Sequence, residues 1–318
     1  MNASSSRAVS PTSVWVGMGI IYIVWGSTYL GMHFAIQTMP PFLMAAARFL
    51  ISGAILYAWR RLSGDPAPTR LQWRSAGIIG ILLLVGGNGG VVWAEQTVPS
   101  GVAALLVGST PLWMVLIDEV LRRVAPHHRP NHARPGWISS IGILIGFAGI
   151  ALLISPTEFT GLGDHVDFVG GLVVLLAALL WSAGSLYSRT AVLPESALMG
   201  PAMEMLVGGT GLIALGTISG EWSRVNLGAI STESWLGLGY LILFGSLVGY
   251  ATYTWLLRSV PTTLVSTYAY VNPMVAILVG NLLAQEPLTP RVLLAALVIL
   301  GSVVLITVTQ RKKRQVTP

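Results

Sequence analysis

Charges inside long apolar runs are the residues most able to do chemistry here, because lipid offers them no solvation and a fold retains them only at a cost. There are few. Arg48 stands several residues into an apolar run over 42–59, and Glu204 several residues into another over 199–219. A guanidinium at that depth could draw in a carboxylate, and a carboxyl group could load and unload a proton. The competing reading is that each side chain snorkels to its nearer interface or bonds backbone carbonyls. His33, near the end of a run over 14–36, titrates in the range of a proton relay but equally suits an interfacial position.

Aromatic and amide residues give a broader signal. Tyr22, Trp25, Tyr29 and His33 follow at i, i+3, i+7 and i+11, one face of a helix with 3.6 residues per turn. Such a stripe can line a cavity. Ser246, Tyr250, Tyr253 and Thr254 make a second set, Ser266, Thr267 and Tyr270 a third, and Asn88 and Trp181 lie in two further runs. The candidate solute-binding residues are therefore Trp25, Tyr29, Asn88, Trp181, Tyr250, Tyr253, Tyr270 and Asn272. Tryptophan and tyrosine also form belts at membrane interfaces, which accounts for Trp15, Trp59, Trp73 and Trp137 at run ends better than for Trp25, Trp181 and Tyr250. An aromatic, mostly uncharged cavity suits amphipathic solutes such as aromatic amino acids, or organic cations through cation–π contact.

Two backbone features stand out. Gly86-Gly87-Asn88-Gly89-Gly90 interrupts an apolar run, and glycine weakens a helix by up to ~1 kcal/mol per residue relative to alanine. The stretch reads as a hinge, a solute contact or a close-packing surface. Pro111 and Pro273 each free a carbonyl one turn earlier and predict matched kinks. Gly101, Ala104 and Gly108 read as packing positions.

Other chemistries find little support. The chain has no cysteine, which removes disulfides, thiolate metal sites and a cysteine nucleophile. It carries no H-E-x-x-H, no G-x-S-x-G and no G-x-x-x-x-G-K-[ST] motif, so neither an enzyme nor an ATPase is expected, and energy must come from a gradient. His127, His128 and His132 invite a metal reading, but in a Pro/Arg-rich stretch they are read as a solvated loop. No metal and no cofactor are expected.

Of the 318 residues 53% are hydrophobic and only 9% charged, a balance that in water would leave large exposed apolar patches. The solvent is lipid. Apolar runs over 14–36, 42–59, 75–94, 99–117, 137–154, 168–187, 199–219, 234–255, 260–283 and 290–309 each approach the ~20 residues that cross a bilayer as helix. Continuous runs exclude a β-barrel, whose strands alternate. The formal charge of +6 sits at run ends, not on a nucleic-acid-binding face. With the N-terminus inside, 15 of 18 basic residues fall in cytoplasmic segments, including the tail Arg311-Lys312-Lys313-Arg314. Ten spans with both termini cytoplasmic is the consistent parity.

The chain also repeats itself. An offset of 162 aligns Pro99 with Pro261, Pro111 with Pro273 and Trp93 with Trp255; an offset of 156 aligns Trp25 with Trp181 and Arg48 with Glu204. Five helices per copy is an odd number, so the second copy enters the membrane inverted, the arrangement that gives alternating access around a midplane site. Inverted symmetry places Arg48 and Glu204 at opposite depths, roughly 10 Å apart along the normal at 1.5 Å per residue. A direct ion pair between them is not implied.

The segments Ile23-Val24-Trp25-Gly26-Ser27-Thr28-Tyr29, Pro41…Arg48-Phe49, Asn272-Pro273 and Glu286-Pro287-Leu288-Thr289 resemble the drug/metabolite transporter superfamily, specifically its EamA-type exporters and their YedA-like group. The resemblance covers the whole chain, although the loop Arg122 to Pro135 is longer than its counterpart around Glu286. It implies an all-α membrane protein of ten transmembrane helices in a 5+5 inverted repeat, with copies over 1–155 and 156–318. The expected function is secondary export of small metabolites, amino acids or related amphipathic solutes, across the cell (inner) membrane. Organic-cation or multidrug efflux is the alternative, and a scaffold or receptor the reading outside transport. Expected partners are a small-molecule solute and membrane lipid, with no nucleic acid, and the chain acts as a monomer or a homodimer.

Overall fold

A computed structural model describes residues 10–124, 136–154, 167–260, 262–265 and 267–316. Ten helices organise them: α1 (Pro11–Ile36), α2 (Pro41–Leu62), α3 (Arg70–Ala94), α4 (Ser100–Val124), α5 (Trp137–Ile154), α6 (Phe168–Ser188), α7 (Met199–Ile218), α8 (Thr232–Tyr253, continuing to Ser259), α9 (Tyr268–Ala284) and α10 (Pro290–Val316). Among the described residues nine helices are long and apolar enough to span a membrane; α9 is a shorter apolar helix. The run over 260–283 thus splits, with a four-residue helix Thr262–Val265 ahead of α9.

The starts follow local chemistry. Orphan amide groups at a helix N-terminus need acceptors, and Ser10, Thr69, Asp167 and Ser231 each accept a bond from an amide two or three residues into α1, α3, α6 and α8. Thr69 and Gln72 close a reciprocal capping box. Outward faces carry Leu144, Leu172, Leu176, Leu278, Leu282, Leu293 and Leu297, all exposed, as a lipid-facing surface requires.

Two helices are irregular in the same place. An eight-residue π-helical segment runs over Ile81–Asn88 in α3 and another over Leu241–Val248 in α8, at an offset of 160. Near the two prolines the helices differ: α4 breaks at Gly108 and Ser109, two residues before Pro111, whereas Pro273 lies inside a continuous α9.

Small residues set the packing, as expected where lipid gives helices no hydrophobic reason to associate. A methyl group at Gly53 of α2 would meet Ala202 and Met205 of α7 at 3.0 and 2.9 Å, and one at Gly209 of α7 would meet Leu50 of α2 at 2.7 Å. Gly101 and Gly108 of α4 approach Ile277 and Pro273 of α9 in the same way. Gly146 and Gly149 of α5 sit against Ser302 and Val298 of α10. Each pairing joins a helix to its counterpart in the other half, which is what two copies related by a two-fold axis produce. The glycine run in α3 is a packing surface, with Gly86, Gly87 and Gly90 against Leu180, Trp181 and Ala177 of α6.

The ends of the bundle differ. Where α1, α3, α5, α7 and α9 finish, polar bonds cross between the halves. The Glu221 carboxylate accepts from the amides of Phe42 and Leu43 at 3.2 and 2.9 Å, and Glu286 accepts from those of Ser100 and Gly101 at 2.7 and 3.0 Å. Arg291 Nε donates to the Leu152 carbonyl at 2.8 Å, and Ser234 Oγ to that of Phe34 at 2.8 Å. Toward the opposite end the closure is apolar, with Val14, Met18, Ile21, Leu256 and Val265 packed together.

Candidate functional site

Arg48 lies two turns into α2, whose first amides are held by Glu221. Its side chain is buried, 6% exposed, and so does not snorkel. It runs across the π-helical segment of α8: Nε donates to Ser246 Oγ at 3.0 Å, and a methyl group at Gly245 would fall 3.1 Å from Nη2. Nη1 has no hydrogen-bond partner. Tyr250, Glu95 and Tyr240 are the groups within electrostatic range of the guanidinium. A π turn widens the helix and loosens its carbonyls, and one of these, on Gly245, accepts from Trp25 Nε1 at 3.2 Å.

Trp25 gathers the aromatic residues. Its ring stands 6.0 Å from that of Tyr250, 5.0 Å from Tyr253 and 5.2 Å from Tyr268, so α1, α8 and α9 share one cluster. Tyr268 was not among the candidates read from sequence; it lies one helical turn before Asn272, close to the break that starts α9. Tyr22 bonds Thr267 across the same seam, its hydroxyl 2.6 Å from Oγ1. Asn272, with its amide turned as its neighbours demand, donates to the main-chain oxygens of Tyr22 and Tyr268 at 3.3 and 3.1 Å. It ties α1 to α9.

Other candidates stand apart. Tyr270 donates to Thr307 of α10 and does not join the Trp25 cluster. Trp181 packs on Gly87 in the α3 π segment, and Asn88 ends that segment with its Oδ1 buried and unpartnered. Glu204 is buried at 7% exposure, and its main chain abuts Gly80, where a methyl group would meet the Glu204 carbonyl oxygen at 2.5 Å. No ion pair links it to Arg48. The two charges are nonetheless counterparts in setting: Arg48 of α2 packs on the π segment of α8, and Glu204 of α7 packs where the π segment of α3 begins. His33 is half-buried beside Phe34.

Sequence reading missed Glu95, at the end of α3. It is 4% exposed, and neither carboxylate oxygen has a hydrogen-bond partner. Arg48, Glu286 and Tyr29 lie within its electrostatic range. The only hint in sequence was a carboxylate directly after Trp93-Ala94 with no basic residue near it, easily taken for a solvated helix end.

Among the described residues no group of three His, Asp or Glu is placed to hold a metal. His127, His128, His132 and Ser266, and the side chains of Thr254 and of the basic tail, lie outside what is described.

The EamA-like transporter family matches the chain twice, over residues 14–155 and 168–308, and the chain belongs to that family. The inner membrane transporter YedA of Escherichia coli (strain K12) is 37% identical over 90% of this chain and 88% of its own length. A WAT1-related chloroplastic protein of Arabidopsis thaliana is 25% identical over 92% of the chain and 69% of its own length. A protein of known crystal structure shares the fold, with a TM-score of 0.59 and 22% identity, covering 96% of this chain and 99% of that one. The chain is a multi-pass transporter of the cell membrane and not an enzyme.

Proposed function

We propose that the chain exports small amphipathic metabolites, amino acids foremost, by alternating access between two inverted copies spanning 1–155 and 156–318, with both termini cytoplasmic. The observation that supports this most is the meeting of Arg48, Trp25, Ser246 and Tyr250 on the π-helical turn of α8. A buried guanidinium from one copy, with an unused donor, faces hydroxyls and aromatic rings of the other. A carboxylate-bearing solute with an apolar side chain matches that set. Glu204 is the proposed coupling group, because it is a buried carboxyl group beside the matching turn of α3 and its charge state could bias that turn.

Organic-cation efflux is the second reading, favoured by the faces of Trp25, Tyr253 and Tyr268. Counterflow in liposomes separates the two, using labelled neutral and aromatic amino acids beside an organic cation, with and without a pH gradient. Saturable amino-acid counterflow that is lost in Trp25→Ala supports the first reading. Acceleration by the gradient that disappears in Glu204→Gln supports the coupling role. Counterflow of the cation alone refutes the amino-acid assignment.

A further inference from the structure

Three of the described residues have a positive φ: Gly64 at 95°, Gly220 at 72° and Gln285 at 54°. Each stands directly before an acidic residue, and each of those acids reaches across to the other copy. Asp65 bonds Ser196, just ahead of α7. Glu221 holds the first amides of α2, and Glu286 those of α4. A left-handed residue past a helix end turns the chain back over the last turn, and the carboxylate that follows is carried onto the neighbouring helix.

The three turns differ in cost. Glycine takes a positive φ without a steric penalty, whereas in glutamine the Cβ crowds the following carbonyl oxygen. The Gln285 side chain is exposed, so this residue matters through its backbone. Local bonds hold it in place: the Glu286 amide donates to the Gly280 carbonyl at 3.1 Å, and Asn281 Nδ2 to the Glu286 carbonyl at 2.9 Å. Gly280 leaves room for the carboxylate, since a methyl group there would meet Glu286 Oε2 at 2.6 Å and Ser100 Oγ at 3.0 Å. At the matching positions of the first copy, an offset of 162 places Arg123 and Val124, both still within α4. Among the described residues, therefore, the α2–α7 seam is clasped at both ends through glycine turns, and the α4–α9 seam at one end through a strained turn.

We propose that Gln285 is a positioning residue for the transport cycle: its strained turn presents Glu286 to α4 and keeps that clasp releasable, while the glycine-based clasps stay shut. This rests on the alternating-access reading above. Strain held in the closed form is returned when the clasp lets go, so the residue at 285 sets how often this end of the bundle opens.

The test uses the full chain, which has no cysteine of its own, with a reporter thiol in place of Val102 in the recess beneath Glu286. Maleimide labelling in detergent reads the opening. Gln285→Gly should slow labelling about fivefold, the lower end of the left-handed penalty written as an equilibrium ratio, because glycine also gains freedom once the clasp opens. Gln285→Asn, which tolerates the left-handed region, should slow it less, and Gln285→Val should quicken it. All three effects should vanish in a Glu286→Ala background. Gly220→Gln puts the same strain into the α7 clasp, where no atom lies near enough to clash; it should lower the melting temperature and leave Val102→Cys labelling unchanged. The maximal rate of counterflow in liposomes, read with labelled phenylalanine and labelled tetraphenylphosphonium, should follow the labelling order. Labelling unchanged by Gln285→Gly, effects of equal size after Glu286→Ala, or quickening by Gly220→Gln as large as that by Gln285→Val each overturn the proposal. Graded labelling in a chain with no counterflow of either probe supports the positioning role and counts against the transport reading; flat labelling in a chain that shows counterflow does the reverse.

Discussion

Replacing Glu286 by alanine should open the end of the bundle where α3 gives way to α4. The Glu286 carboxylate holds the first two amides of α4 at 2.7 and 3.0 Å, reaching across from the other half of the chain. Those amides have no partner within their own helix. Losing an N-cap costs about 0.5–2 kcal/mol, and a hydrogen bond to a charged group contributes about 1.5–3. We take about 2 kcal/mol for the partly buried pair, which corresponds to roughly a 30-fold rise in the open fraction. The chain has no cysteine, so a single introduced thiol reports cleanly. Val102 is 4% exposed and lines the recess beneath Glu286 with Pro99, Gly101 and Ile277. Maleimide labelling of Val102→Cys should therefore quicken by about that factor in the Glu286→Ala background, with Glu286→Gln intermediate because one oxygen still accepts. Unchanged labelling, in protein that melts as the parent does, would refute the assignment of Glu286 as a cross-copy fastening.

Three further outcomes follow from the packing and the loops. Gly80→Ala places its methyl group 2.5 Å from the Glu204 main-chain oxygen; overpacking against backbone should cost about 1–3 kcal/mol and lower the melting temperature, whereas Gly301→Ala, with nothing within 4 Å, should not. Trp25→Phe removes the bond to the Gly245 carbonyl and should destabilise by about 1 kcal/mol, read as a lower melting temperature. In the loop between α2 and α3, Asp65 bonds Arg60 at 2.7 and 2.9 Å, and that bond, then one to Ser196, draws its carboxyl pKa down to about 2. A lowered folded-state pKa stabilises above the ordinary value near 4 and is lost as pH falls toward 2. Loop protection in hydrogen exchange should fade across that window in the wild type and be flat in Asp65→Asn.

Lipid makes demands that a sequence displays openly. Every span must be a long apolar helix, so the runs over 14–36 and 137–154 foretold α1 and α5 to within a few residues, and Pro111 foretold the break in α4. The repeat was legible because matched prolines and tryptophans survive in both copies, and Arg48 and Glu204 stood out because charges are scarce at that depth. Arrangement across helices was not legible. No periodicity announces that α3 and α8 each carry a π-helical segment, or that Trp181 and Arg48 pack on them. Nor did sequence show that Asn272 bonds the main chain of Tyr22 in α1, or that Tyr270 bonds Thr307 in α10. Nothing in the sequence marked Glu95, which only the folded chain encloses. The sequence alone determined which segments enter the membrane and which residues there are costly; only the tertiary structure decided which of those costly groups have partners, because pairing depends on side chains brought together from helices far apart in the chain.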